Sequence, residues 1–335
     1  MLRSQDFLAS RFGAESIVMV HAVDLPTMKK FTLSISLLIL GSSLALTAQA
    51  DFETGLAAYE AQDYAKAMTE FRSAAEQGDI RSQFYMGSLY DKAMGVTQDY
   101  AEAFRWYELA ANQGDPAAQY AVATMNFYGQ GKAEDYGQAI QWYGKAAAQG
   151  HRDSQYNLGI MHANGYGTPP DAVEAHKWFL AAAEGGKADA QYNLGIMYQD
   201  GVGVMPDPIQ AFGWFVRAGE QGIAPAQARV GIAYASGQGV ERDYLKAHEW
   251  FTLAAERGDV PAQAFLGRLY LNGLGMDEQD LVSAYMWFKI ANDNGDQEAT
   301  NVLATLRGYM KPEDITNAEQ SAIRWVSNQR ASRRP

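Results

Sequence analysis

A period constrains this chain more than any other feature. A glycine recurs at Gly78, Gly114, Gly150, Gly186, Gly222, Gly258 and Gly295, at intervals of 36 residues five times and then 37. Trp106, Trp142, Trp178, Trp214, Trp250 and Trp287 each stand eight residues before it, followed by Tyr107, Tyr143, Phe179, Phe215, Phe251 and Phe288. Asp63, Asp99, Asp135, Asp171, Asp207, Asp243 and Asp280 form a third column, and Gln83, Gln119, Gln155, Gln191, Gln227 and Gln263 a fourth. The heptapeptide QYNLGIM is repeated whole, at Gln155–Met161 and Gln191–Met197. Self-similarity at this spacing is the mark of an array of supersecondary units.

Each unit reads as two helices. The first carries the Gln column, with apolar residues three, six and seven positions on, which cluster on one side at 100° per residue. It stops at a Gly-x-Gly pair such as Gly201-Val202-Gly203 or Gly237-Gln238-Gly239, because glycine accepts the positive φ of a helix C-terminus. The second helix starts at the Asp column, where a short carboxylate caps free N–H groups and complements the helix dipole. Ala103, Ala139, Ala175, Ala211, Ala247 and Ala284 permit close helix approach, and the Trp-aromatic pair fills the space between hairpins. One such hairpin cannot bury its own apolar face, but stacked hairpins cover one another. The expected fold is all-α: a right-handed α/α solenoid of stacked 36-residue helix-turn-helix repeats. Six full units occupy 79–295 and a half-unit 51–78, where Glu70 replaces the Trp and Phe71 keeps the aromatic. Capping helices are expected over 296–330, one of them starting at Pro312, and a frayed tail over 331–335.

The N-terminal stretch reads as a targeting segment. Lys29 and Lys30, an apolar run from Phe31 to Leu46, and Ala48-Gln49-Ala50 make a signal peptide over 28–50, with cleavage expected between Ala50 and Asp51. Residues 1–27 carry Asp6, Glu15 and Asp24, which do not belong in an n-region, so translation is expected to start at Met28. The expected location is periplasmic or secreted. The chain's net charge is −12. Removing Arg3, Arg11, Lys29 and Lys30 with those three acids takes away one positive charge and leaves −13. That balance argues against nucleic acid and against an anionic membrane surface. There is no cysteine, which rules out disulfides, thiol catalysis and a lipid-modified N-terminal Cys.

The pattern A-Q-Y-N-L-G-x-x-Y-x-x-G-x-G-V, then D, A, W, A-A and G, resembles the Sel-1-like repeat, a relative of the tetratricopeptide repeat. The resemblance covers essentially all of the chain beyond the signal segment. It implies an adaptor or scaffold that binds a protein or peptide partner, with the first helices lining a concave groove. It also brings two alternatives. Some cysteine-rich relatives are credited with activity on cell-wall or β-lactam substrates, and others serve as accessory scaffolds of envelope polysaccharide export. The absence of cysteine weighs against both, removing the disulfide-bearing pattern of the first and the lipobox of the second.

No constellation for catalysis stands out, and the chain is read as non-enzymatic, with no cofactor and no metal. His176 and His248 share a register but lie two repeats apart, too far to share an ion when packed helices are roughly 8–10 Å apart. His162 takes a slot filled by Tyr198, Tyr234 and Tyr270 elsewhere, and His151 sits at a turn, where solvation is expected. Gly131-Lys132 faintly resembles a phosphate loop, but Asn126 and Ala133 stand where that loop needs Gly and Ser or Thr.

Function on such a scaffold belongs to outward residues that vary. On the first helices, positions one, two and five after the Gln column face away from the expected core. The candidate groove is Tyr120, Tyr156, Asn157, Ile160, Tyr192, Asn193, Ile196, Arg229 and Ile232. Aromatic anchors supply contact area, and asparagine amides can bond a peptide backbone. The tyrosines admit a second reading, as packing between repeats.

Overall fold

The computed structural model describes residues 47–332, all in helices and the turns between them, with no strand among them. The expected upstream extension, most of the signal segment and the last three residues of the tail lie outside the described residues. The chain divides into two compact units, 1–79 and 80–335.

Among its described residues the first unit is a helix pair. Helix α1 runs over 47–60 and α2 over Tyr64–Glu76. Asp63 caps α2, its carboxylate accepting from the Lys66 amide. Phe52 and Phe71 are buried and tilted against each other at 5.8 Å. A Cβ on Gly55 would stand 2.7 Å from the Phe71 ring, so glycine here lets the two helices close. Asp51 is tied across the pair, accepting from Ser73 Oγ at 2.8 Å and Gln77 Nε2 at 3.3 Å.

The second unit contains α3 (Ile80–Asp91), α4 (Tyr100–Asn112), α5 (Pro116–Tyr128), α6 (Tyr136–Ala148), α7 (Arg152–Asn164), α8 (Ala172–Glu184), α9 (Ala188–Asp200) and α10 (Pro208–Glu220). It continues with α11 (Ala224–Ser236), α12 (Tyr244–Glu256), α13 (Val260–Asn272), α14 (Leu281–Asp293), α15 (Gln297–Arg307) and α16 (Pro312–Ser332). Each helix from α3 to α14 packs on its successor, and α16 folds back onto α14. This is the nearest-neighbour order of an α/α solenoid.

Every column of the period has a job in this packing. The aspartates cap the second helices: Asp99, Asp135, Asp171, Asp207, Asp243 and Asp280 each accept from amides in the first turn. In every unit but the one with Ala123, the residue four after the glutamine is a glycine that sits under the aromatic following the Trp. A Cβ on Gly159 would come within 2.6 Å of Phe179, and one on Gly231 within 2.7 Å of Phe251. The first glycine of the turns after α5, α7, α9, α11 and α13 takes a left-handed C-cap, as at Gly165 (φ 77°) and Gly237 (φ 77°), and Ala93 (φ 55°) takes the equivalent place after α3. The second, such as Gly203 or Gly239, lies directly on the backbone that opens the previous repeat's second helix, leaving no room for a side chain.

The glutamines stitch repeats together. Gln119, Gln155, Gln191, Gln227 and Gln263 each donate through Nε2 to a carbonyl near the end of the preceding helix, at 2.9–3.4 Å. Several also accept from a side chain thirty or thirty-one positions on: Gln149 Nε2 donates to Gln119 Oε1 at 2.9 Å, Gln221 to Gln191 at 2.7 Å and Asn294 Nδ2 to Gln263 at 3.0 Å. At the far end α16 covers α14. Trp325 meets Trp287 edge-on at 5.1 Å, and the buried Tyr285 hydroxyl donates to Glu319 while accepting from Arg307 Nε.

Candidate functional site on the first-helix face

All nine candidate groove residues fall on α5, α7, α9 and α11, and all nine are half-buried. Tyr120 lies 5.7 Å from Tyr143, Tyr156 5.7 Å from Phe179 and Tyr192 5.9 Å from Phe215. Each tyrosine therefore packs one face on the second helix of its own repeat. Ile160, Ile196 and Ile232 rest on the core clusters between repeats. The asparagines reach back one repeat: Asn157 lies beside the Tyr143 hydroxyl and Asn193 beside that of Tyr156. Burial raises the Tyr156 pKa, with Asp189 adding to the effect. Arg229 lends positive charge to Asp259, the cap of α13, whose own pKa burial raises.

One repeat departs from the others. Between α5, α6 and α7 lies a cavity of about 190 Å³ bounded by the rings of Tyr120, Phe127, Tyr128 and Tyr143, by Thr124 and Asn157, and by Ile160 and Met161. It exists in this repeat because Thr124 stands in the column that Ile160, Ile196 and Ile232 fill elsewhere, and because Phe127 and Tyr128 replace Ala163 and Asn164 of the next unit. Phe127 is braced by Tyr136 at 5.1 Å and Tyr166 at 5.4 Å, while Tyr128 is 66% exposed at the rim. Thr124 Oγ1 donates to the Tyr120 carbonyl at 2.9 Å and is 2.9 Å from the Tyr143 hydroxyl. Burial pushes the Tyr143 pKa up to about 12, which keeps the hydroxyl neutral. Thr124, Phe127, Tyr128 and Tyr143 are absent from the sequence-based site. Thr124, Phe127 and Tyr128 carry no periodic signal, whereas Tyr143 belongs to the recurring aromatic column.

The histidines are structural in their contacts. His151 is not a solvated turn residue: it is half-buried, lies 4.9 Å from the Tyr120 ring, and its Nδ1 accepts from the Ser154 amide as the N-cap of α7. His176 and His248 meet Tyr198 and Tyr270 edge-on at 5.3 and 5.4 Å, in the slot where Phe212 meets Tyr234 at 5.3 Å. His248 Nε2 also hydrogen-bonds the Tyr270 hydroxyl at 2.9 Å. Burial lowers the pKa of all three, holding the rings neutral. His162 is half-buried in its column. No group of three or more His, Asp or Glu side chains among the described residues could hold a metal ion. The Gly131-Lys132 turn is a repeat turn, with Gly131 against the Tyr100 backbone and Lys132 Nζ 4.9 Å from the Phe104 ring centroid. A larger cleft of about 670 Å³ lies at the end of the array, beside Tyr270, Met276, Tyr309 and Lys311.

Against known families, the Sel1 repeat model matches seven successive segments, at 52–79, 80–115, 116–151, 152–187, 188–223, 224–259 and 260–296. The chain belongs to the Sel1 repeat family. Among solved structures, a Sel1 repeat protein from Oxalobacter formigenes is 31% identical, with a TM-score of 0.60 over 72% of this chain and 96% of that one. The protein c5321, a protective antigen present in uropathogenic Escherichia coli strains and displaying an SLR fold, is 28% identical. It aligns with a TM-score of 0.55 over 84% of this chain and 68% of its own. No curated protein matches the chain. Sel1 repeat proteins generally mediate protein–protein interaction on a scaffold that is generally non-catalytic. In the present Sel1 protein, no described helix is long and apolar enough to cross a membrane.

Proposed function

We propose that this protein is an exported, non-catalytic scaffold that binds a protein or peptide through the face built by its first helices. The observation that carries the reading is the cavity beside Tyr120, Tyr128 and Asn157, which combines aromatic walls with polar groups on an otherwise regular face. Aromatic anchors with a few placed hydrogen-bonding groups are what peptide recognition uses. The wider strip through Tyr156, Asn193, Ile196 and Arg229 extends that face over the next repeats, each side chain half-buried and half available.

Export rests on the signal-like segment. The resemblance to a protective antigen, a protein that meets an immune system, agrees with it. A mature chain beginning at Asp51 keeps the bonds from Asp51 to Ser73 and Gln77. N-terminal sequencing of the protein recovered from the periplasm or medium should begin at Asp51; recovery of the full-length chain from the cytoplasm would overturn export.

The binding test uses the chain as bait in extracts of its own cells, beside variants Tyr128→Ala and Asn193→Glu. A stoichiometric partner retained by the native chain and lost from both variants, at unchanged helical content, supports the reading. Equal retention by all three would refute it.

A further inference from the structure

The hydrogen-bond directions in the cavity determine what it can accept. The single hydroxyl proton of Thr124 goes to the Tyr120 carbonyl. The proton between Thr124 and Tyr143 then comes from Tyr143, whose hydroxyl lies beside the Asn157 side chain. Asn157 lines the cavity with an amide whose carbonyl oxygen can accept a hydrogen bond. A basic head placed there can donate to that oxygen, whereas an aliphatic or plain aromatic group would bury the amide without a partner.

The walls point the same way. Four rings bound the cavity, and the faces of aromatic rings carry negative potential that attracts cations. The chain already uses its rings so: one repeat along, Lys187 Nζ lies 5.5 Å from the ring centroid of Tyr156, the counterpart of Tyr120, and Lys145 Nζ lies 3.5 Å from that of Trp142. The volume, about 190 Å³, equals roughly six water molecules, which suits one long side chain and little more. A net charge of −12 draws basic partners toward the molecule.

We infer that the cavity between α5, α6 and α7 receives a single arginine or lysine side chain of an extended partner peptide, with the charged head donating to Asn157 Oδ1 and lying among the rings of Tyr120, Phe127, Tyr128 and Tyr143. This rests on the peptide-binding reading above and names its anchor. Tyr128, exposed at the rim, closes over the aliphatic stem, and Thr124 holds the Tyr143 hydroxyl that lies beside Asn157.

The test is a selection of short random peptides, displayed on phage, against the immobilised full chain and in parallel against Tyr128→Ala. The expected result is a family of peptides sharing one Arg or Lys, enriched on the native chain alone. Synthetic versions should lose about tenfold in affinity when that residue becomes citrulline or norleucine, and by a similar factor against Tyr128→Ala. Asn157→Leu, checked for an unchanged melting temperature, should weaken the basic peptide more than its norleucine analogue. Enriched peptides with an apolar anchor that still depends on Tyr128 would overturn the basic-anchor inference and leave the peptide-binding reading standing. Absence of any peptide preferring the native chain would overturn both.

Discussion

At the scale of single residues, the glycine set against an aromatic ring is a tight requirement in the repeats that carry it, Ala123 taking its place in one unit. A Cβ on Gly195 would collide with the Phe215 ring. Gly195→Ala is expected to cost about 1–3 kcal/mol of stability despite the better helix propensity of alanine, because the ring must leave a filled space. Urea unfolding would show it, and Phe215→Leu in the same chain should recover part of the loss. Histidine burial makes a second prediction at this scale. The folded pKa values of His151, His176 and His248 lie below 6.5, so the unfolded chain binds protons first as pH falls. Their contribution is intact above the unfolded pKa and is lost as pH drops from about 6.5 toward the folded values. Asp91 and Asp259, raised by burial, work in the opposite sense nearer the carboxylate range. The melting temperature should therefore fall between about pH 7.5 and 5.5, and fall less in a His176→Phe, His248→Phe chain, since Phe212 fills that slot naturally. Identical profiles for the two chains would count against buried neutral imidazoles.

At the scale of elements, much was legible in the columns and the rest was not. Asp207 before an apolar run reads as a cap, and Gly201-Val202-Gly203 reads as a stop, because both effects are local to the chain. The reach of Gln191 to Ala183 on one side and Gln221 on the other is not local, and a column of glutamines alone does not say where the amides go. The same limit applies to the site. Tyr156, Asn157 and Ile160 were placed on the right helix by period, but their half-burial follows from how the next helix leans on them. Thr124 and Tyr128 escaped notice because the cavity forms where one unit breaks its own pattern. Gln191→Ala removes two side-chain hydrogen bonds between helices, to Ala183 and from Gln221, which should cost about 1–3 kcal/mol. Substitution of the exposed Gln199, on the same helix, should stay within about 0.5 kcal/mol, and equal losses would contradict the stitching role.

At the scale of the molecule, an array of nearest-neighbour contacts has ends that must be sealed. Here α16 seals one end through Trp325 on Trp287 and the Tyr285–Glu319–Arg307 network. A chain ending before Pro312 should lose amide protection first in α13 and α14, while α5 to α9 remain protected; uniform loss along the chain would show one cooperative block instead. Regularity of this kind supplies a rigid surface, and the proposed function places the partner on the first-helix side of it. The most direct test puts a photoreactive benzoylphenylalanine at position 128, on the first-helix face, and in a second chain at position 209, where Ile209 is 70% exposed at the start of α10. Both chains are irradiated in living cells. The account predicts a discrete cross-linked product from position 128 and none from 209; the same products from both positions, or a product from 209 alone, would contradict it.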